Sequence, residues 1–485
     1  LCAERLRLTD VVVRQYDSAV SSPLVLVMAA GEGTRMRSTT PKMLHSVCGR
    51  PMVAWPVVAA REAGAGRVAA IVSPGRDLSA GLPEGVETVE QPVSDGTGGA
   101  IRAALPLIEE SGAETVLVLS GDVPLISTET IAALLVAHEA SEAAATMLTI
   151  ELDDPGAYGR VVRTDDGSVE RVVEAKAAGD ADPEHLAIRE INAGTYAFDA
   201  APLAEALRGL SNDNAQGEYY LPDVFPALRE AGRTVAAHLA DDFAVTMGVN
   251  NRVDLTAVEA EGRRRLLEAH MLAGVTVVDP ASTWIDAGIE IGADARIEPG
   301  TTLRGATQVA EGAVIGPLST LIDCSVGAGS QVLHSYLVEC DVRAGCSVGP
   351  FAYLRPGALL EDGAKAGTFV EIKNSQVGEG TKVPHLAYIG DTDIGPGSNL
   401  GAGTITANYD GFRKNRTVIG RDVRIGVDTM LIAPVEVGDA AYTGAGAVIK
   451  DDVPEGALAV SENSQRNIDG YAARKAADMR EDETP

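Results

Sequence analysis

"IDAGIEIGADARIEPGTTLRGATQVAEGAVIGPLSTL" occupies residues 285–321. An aliphatic residue returns at every sixth position: Ile285, Ile291, Ile297, Leu303, Val309, Ile315 and Leu321. A period of six fits neither a helix nor the alternation of an ordinary strand. It is the signature of a parallel β-helix, in which each hexad lays down one flat face and points its aliphatic residue into a triangular core. The phase slips by one and resumes at Val326, Val332 and Val338. Val342, Val348, Leu354, Leu360, Ala366 and Ile372 form a further series, and Ile419, Ile425, Leu431, Val437, Thr443 and Ile449 the last. Three hexads close a coil of about 18 residues, so residues 285–460 predict about ten coils. The spacing does not give the hand of the coil. Past Thr406, Asn408-Tyr409-Asp410-Gly411 breaks the repeat. An insertion loop of about a dozen residues is expected there, and loops on rigid scaffolds usually carry function.

Upstream the texture differs. From Leu24 to about Met247, short apolar runs alternate with helical stretches. Leu24–Ala30, Val68–Val72, Thr115–Leu119 and Ala144–Ile150 read as buried strands, with helices at Ile101–Glu110 and Thr128–His138. This rhythm predicts a parallel sheet covered by helices on both faces, an α/β Rossmann-like domain. Tyr158–Val173 reads as a hairpin turning at Asp165-Asp166-Gly167. Asn250–Leu272, rich in Arg, Glu, Leu and Ala, reads as a linker helix. The expected organisation is an extension over 1–21, an α/β domain over 22–247, a linker helix over 248–270, and a β-helix domain with a C-terminal tail over 271–485. The extension lacks the apolar core of a signal peptide.

The 485 residues carry a net charge of −29, which argues against a nucleic-acid partner. An anionic small ligand then needs local cations that oppose the global field. Aromatics are only 4%, so the core must be aliphatic. Cys2, Cys48, Cys324, Cys340 and Cys346 show no paired spacing and read as reduced thiols of a cytosolic protein. No run of about 18 apolar residues occurs, so no membrane span is expected.

"MAAGEGTRMRSTTPKMLH", residues 28–45, follows the first strand. A Rossmann fingerprint would need a glycine where Met36 stands, and a Walker loop would need Gly-Lys-Ser/Thr. What remains is a glycine turn at a strand's C-terminal end, whose free amides can face an anion, with Arg35 and Lys42 adding charge. The plain alternative is a βα turn with solvated cations.

A wider set of motifs is decisive. "AAGEGTRMRSTTPKMLH", "SGDVPL" (120–125), "NAQGEYYL" (214–221) and "GVNNR" (248–252) resemble those of sugar-1-phosphate nucleotidylyltransferases. With "HLAYIGD" (385–391) and "GAGTITANYDG" (401–411) on a hexapeptide repeat, they closely resemble the bacterial family of bifunctional N-acetylglucosamine-1-phosphate uridylyltransferase/glucosamine-1-phosphate N-acetyltransferases. The likeness spans about residues 23–475, in order. It implies a left-handed β-helix, a homotrimer and a cytoplasmic enzyme feeding peptidoglycan synthesis. The implied substrates are UTP, acetyl-CoA and glucosamine-1-phosphate, with Mg²⁺ as cofactor. By resemblance, Asp122 and Asn250 hold the metal, and Arg35 and Lys42 neutralise phosphates in the uridylyl reaction. Ala29, Ala30, Gly31, Gln91, Gly96 and Thr97 would recognise uridine, and Gly159, Glu174, Asn192 and Tyr220 the amino-sugar. In the β-helix, His385 is implied as the base. Arg355, Lys373, Tyr388 and Asn399 would bind the sugar phosphate, and Ala402, Asn408, Tyr409, Val427 and Ala445 the acetyl-CoA.

The chemistry suits these residue types. Nucleotidyl transfer crowds negative charge and is driven by positioning and neutralisation. Acetyl transfer to an amine needs a base with a pKa near the working pH, as histidine has. Three positions depart from the family: Gly99 stands where His is usual, Pro222 where Thr is usual, and Val427 where Ser is usual. A β-helix serving only as a scaffold, or a different nucleotide or sugar, are the competing readings.

Overall fold

The computed structural model describes residues 22–175, 182–213, 217–461 and 467–474. The expected extension over 1–21, Asn214-Ala215-Gln216 of the "NAQGEYYL" motif, and most of the C-terminal tail lie outside them. The chain divides into two units between Leu266 and Leu267.

In the first unit the central strand is Leu24–Met28, with Leu24, Val25, Leu26 and Val27 fully buried. Burial on both faces is why it reads as a continuous apolar run. It lies parallel to Arg67–Val72 on one side and to Thr115–Ser120 on the other. The strand order is Glu87–Glu90, Arg67–Val72, Leu24–Met28, Thr115–Ser120, Glu190–Asp199, Ala145–Glu151, Val235–Leu239. The chain reverses its winding direction between Leu24–Met28 and Thr115–Ser120, and the C-terminal ends of these strands open the crevice where α/β sheets bind ligands.

Two expectations need correction. The sheet is mixed rather than parallel, because Glu190–Asp199 runs antiparallel to both of its neighbours. An apolar run does not encode its direction. The helix expected over Ile101–Glu110 is two helices, Thr97–Ala103 and Leu105–Ser111. Pro106 has no N–H to give the Arg102 carbonyl, and its ring crowds that carbonyl, so the first helix stops. Elsewhere the reading stands. Arg160–Arg163 and Val169–Val173 pair as a hairpin, and Thr128–Ser141 is helical with Ser127 Oγ accepting from the Thr130 amide. Helix Arg252–Leu272 is capped by Asn251, whose Oδ1 accepts from the amides of Val253 and Asp254. Asn250 is thereby free of the capping role.

The second unit is built of short parallel strands in three stacked sheets of 11, 10 and 9 strands. These dimensions match the ten coils expected. Ile285, Ile297, Leu303, Val309, Ile315 and Leu321 share one buried core with their counterparts in later coils. One inward residue is shifted. Leu337, not Val338, is fully buried, because Leu321 pairs with Leu337 in a coil two residues shorter than the Thr302–Thr320 coil. Cys324, Cys340 and Cys346 are free thiols in this core. The insertion is shorter than the expected dozen residues. Ile394 stands opposite Ile419, a step of 25, where the next coil steps 18 from Ile419 to Val437. Among the described residues no helix is long and apolar enough to cross a membrane.

Candidate active sites

At the C-terminal edge of the first sheet lies a pocket of about 410 Å³. Its wall includes Ala30, Gly31, Lys42, Asp122, Glu174 and Asn192. The loop after Leu24–Met28 folds back on itself at Gly33 (φ +65°), whose missing Cβ leaves room for Lys42; a Cβ there would lie 2.6 Å from Lys42 Cβ. Lys42 is 8% exposed, and its ammonium donates to Asp122 Oδ2 at 2.8 Å. The Arg35 guanidinium donates to Asn250 Oδ1 at 2.8 Å. The Val249 amide donates to the Asp122 carbonyl at 2.8 Å, so backbone pairing brings Asn250 beside Asp122.

On the opposite wall, Gln91, Ser94, Gly96 and Thr97 face the pocket with Glu218, Tyr220 and Pro222. Two backbone bonds of 2.7 Å, Gly98 to Tyr219 and Tyr219 to Asp95, tie these segments together. The Thr97 hydroxyl accepts from the Leu221 amide at 3.0 Å. Asn192 reaches the pocket while its amide serves the local fold, donating to the Tyr196 hydroxyl and accepting from the Gly194 amide.

In the β-helix, Tyr353, Glu371, Tyr388 and Ile405 stack on successive coils of one sheet. Arg355 donates to Glu371 at 2.8 Å, and Lys373 lies 3.5 Å from Asp391. Asp391 is buried and also accepts from the amides of Asn374 and Asn408. Burial pushes its carboxyl up. The two amide hydrogen bonds and the Lys373 ammonium more than offset this, and hold it below the ordinary carboxylate value. The Lys373 ammonium beside Lys414, with the Arg355 guanidinium nearby, lowers the Lys414 pKa from its ordinary value. Gly390 leaves space over which the Tyr388 hydroxyl and the Asn408 amide both close; a Cβ there would meet each inside normal contact.

The neighbouring corner carries a second alignment. Strand Lys382–His385 ends at the exposed His385. The register steps from Lys382 to Asn399, from Asn399 to Arg424 and from Arg424 to Tyr442. Three residues on, in the turns beyond the ends of the later strands, the same steps lead from His385 to Ala402, Val427 and Ala445. The Gly403 amide donates to the His385 carbonyl, and the Asp428 amide to the Ala402 carbonyl. Small, largely exposed side chains therefore line a column that leaves His385. The insertion closes beside the Arg355, Lys373 and Asp391 cluster, with Tyr409 bridging Lys414 and the Asn415 amide donating to the Asn408 carbonyl.

Residues 25–214 match the MobA-like NTP transferase domain family. The Bifunctional protein GlmU of Mycobacterium tuberculosis (strain ATCC 25177 / H37Ra) is 49% identical over 461 residues, covering 93% of this chain and 92% of the relative. The protein of that name from Streptomyces avermitilis is 50% identical over 467 residues, 94% and 95% of the two chains. That from Mycobacterium marinum is 48% identical over 459 residues, 93% of each. The chain belongs to the GlmU family. It is a bifunctional transferase of UDP-N-acetylglucosamine synthesis, with uridylyltransferase and acetyltransferase activities.

Within this member of the GlmU family, the structure brings most of the sequence-derived residues to two places. Ala29 is buried behind the first pocket, and its amide donates to the Ile71 carbonyl. Gly159 stands near it through the Asn192 amide, which donates to the Gly159 carbonyl at 2.9 Å. Asn399 does not join Arg355, Lys373 and Tyr388; it lies on the sheet that carries His385. Sequence reasoning missed Glu218, Lys414 and Asp391. Lys414 sits in a polar loop without a pattern of its own. Asp391 reads as a corner residue, and only its contacts one coil away reveal more. Asp122 and Asn250 supply hard oxygen donors side by side, each now facing a cation from Lys42 or Arg35. That donor set fits a small divalent ion sharing its shell with phosphate oxygens and water.

Proposed function

We propose that the β-helix acetylates glucosamine-1-phosphate with acetyl-CoA, and that the α/β unit then transfers UMP from UTP to N-acetylglucosamine-1-phosphate, releasing pyrophosphate. The observation that carries this reading is where the cations sit. In a chain of net charge −29, Lys42 and Arg35 converge at the crevice of the first sheet. Lys373, Lys414 and Arg355 crowd together against their own repulsion on the β-helix. Such crowding is stabilised when an anion arrives, and both reactions take a phosphorylated sugar.

In uridylyl transfer, Ala29, Ala30, Gly31, Gln91, Gly96 and Thr97 hold the uridine. Glu174, Asn192, Gly159 and Tyr220 hold the sugar. Lys42 and Arg35 draw the sugar phosphate towards the α-phosphorus and neutralise charge as pyrophosphate leaves. Mg²⁺, held by Asp122 and Asn250, supplies further charge neutralisation when bound. In acetyl transfer, Arg355, Lys373 and Lys414 clamp the phosphate of glucosamine-1-phosphate with Tyr388 on the sugar, and Asn399 approaches the sugar from the separate sheet that carries His385. His385 takes the proton from the attacking amine. Acetyl-CoA lies along Ala402, Val427 and Ala445, with Asn408 and Tyr409 at its acyl end.

A homotrimer suits this reading. Leu318, Phe351, Phe369 and Leu386 are exposed at corners of the coils, with the rings of Phe351 and Phe369 stacked 5.2 Å apart. Side-by-side packing of β-helices would cover them. UTP and acetyl-CoA place the work in the cytoplasm, and the product feeds peptidoglycan and related envelope synthesis.

The test is the purified chain with UTP, Mg²⁺, acetyl-CoA and glucosamine-1-phosphate, with products separated by mass. Acetylated sugar phosphate and then UDP-N-acetylglucosamine are expected. His385→Ala should slow acetylation by about 10²–10⁴ and spare uridylyl transfer of supplied N-acetylglucosamine-1-phosphate. Asp122→Asn should do the converse. An acetylation rate that His385→Ala leaves intact across pH 6–9 would assign the proton to another group.

A further inference from the structure

Gly99 has no side chain, and the Asp95 carboxylate fills that space: a Cβ built on Gly99 would overlap Asp95 Oδ1. From there Oδ1 accepts from Gln91 Nε2 at 2.9 Å, and Oδ2 accepts from Arg102 at 3.3 Å. Arg102 is itself held over the Tyr219 ring, 3.8 Å from the centroid. Gln91 is 5% exposed and lies on the pocket wall. Its Nε2 also donates to the Gly96 carbonyl at 3.1 Å. A carboxylate and a carbonyl are acceptors only. A flipped amide would point Oε1 at both, so this orientation is fixed by chemistry. With both protons committed, Gln91 can offer the pocket only its carbonyl oxygen.

We propose that Asp95 is a specificity-determining positioning residue of the uridylyl reaction: it locks Gln91 as an acceptor and so selects a pyrimidine that carries a proton on N3. Uracil presents that N3–H. Cytosine presents a lone pair at N3, which meets the locked Oε1 as one acceptor facing another. Free of Asp95, the amide can turn its NH₂ towards cytosine N3, and the discrimination relaxes. Gly99 is the other half of the device, because any side chain there evicts the carboxylate. The proposal rests on the reading of Gln91 as a residue that contacts the base.

The experiment is steady-state uridylyl transfer by the full chain, with UTP and CTP compared through kcat/KM. Asp95→Ala should lower the UTP/CTP ratio about tenfold, the scale of one lost hydrogen bond to a charged group. The change should fall more on KM for UTP than on kcat, because Asp95 is placed at the base end and not at the phosphates. Gly99→Ala should produce the same loss with the carboxylate still present. Asp95→Asn, which keeps the volume and one acceptor, should retain most of the discrimination. A melting transition of the α/β unit that stays near that of the unmodified chain, with kcat for UTP retained, reports in each variant that this unit is folded; acetyl transfer cannot serve, because the β-helix holds its own core. Gln91→Ala, run in parallel, separates two failures. If it leaves the ratio unchanged, Gln91 does not read the base and both readings fall. If it lowers the ratio while Asp95→Ala and Gly99→Ala do not, the Asp95 proposal alone is overturned, as it is by an unmodified chain that prefers CTP.

Discussion

Val427 is 49% exposed on the column that rises from His385. Had the surroundings closed over its methyl groups, a hydroxyl here would be buried without a partner, and serine would cost stability. Exposure removes that objection, since a hydroxyl at this position is at worst solvated. On the proposed acetyl-CoA path, serine adds a donor that valine lacks. A neutral hydrogen bond is worth about 0.5–1.5 kcal/mol, roughly a 2–10-fold effect. Val427→Ser is therefore expected to raise kcat/KM for acetyl-CoA by that factor, with uridylyl transfer unaffected. Steady-state kinetics on this one variant decides the point, and an unchanged value takes Val427 off the path. Lys42 and Asp122 could be singled out from the sequence because each sits in a motif of its own character, and Val427 because it departs from the family's Ser. Asp95 was not, because what it does depends on a side chain that is missing four residues later.

The insertion after Thr406 stands on one buried carboxylate. Asp391 holds Asn374 and Asn408 by their amides and faces Lys373, so the loop and the proposed phosphate clamp share a support. Asp391→Asn keeps the shape but turns an NH₂ towards one of those amides. Hydrogen bonds to a charged partner contribute about 1.5–3 kcal/mol. Acetyl transfer is expected to fall about tenfold or more, while uridylyl transfer holds. The pH dependence has a defined sign. A carboxyl held below its unfolded value stabilises the fold above that value and loses the effect as pH falls through the folded one. The melting point of the unmodified chain should thus exceed that of Asp391→Asn at neutral pH, and the gap should close in acid below the ordinary carboxylate range. A gap that persists at low pH would mean that charge is not what holds the loop. Elements were legible here to different depths. The hexads declared the β-helix because a fixed period states both the fold and the inward residue. Leu337 and the shortened insertion were missed where coils change length, since the period then carries no information. The antiparallel strand Glu190–Asp199 was missed because its direction is set by the connections around it and not by its own residues.

At the scale of the whole molecule, each unit holds its own core. The aliphatic cluster of the β-helix runs from Leu267 to Val453, and that of the α/β unit from Leu24 to Val235. Separate cores imply that each activity can survive alone, so residues 22–270 should retain uridylyl transfer and 271–485 acetyl transfer. Helix Arg252–Leu272 makes the choice of cut matter. Along its first part, Glu259 accepts from the Cys48 amide, Gly262 packs near Cys48, and Arg265 pairs with Asp242, so the α/β fragment needs the helix. Leu267, 2% exposed, belongs instead to the β-helix core. A fragment that begins at 271 loses that side chain, whose burial stabilises by about 1.5–3 kcal/mol. At a sensitivity of about 2–4 °C per kcal/mol for a chain of this size, residues 252–485 should melt several degrees above residues 271–485, with both fragments active in acetylation. Calorimetry of the two fragments beside their acetylation rates is the measurement. Equal melting points would show that Leu267 does not cap the coil, and two folded fragments without either activity would show that the activities need the chain whole.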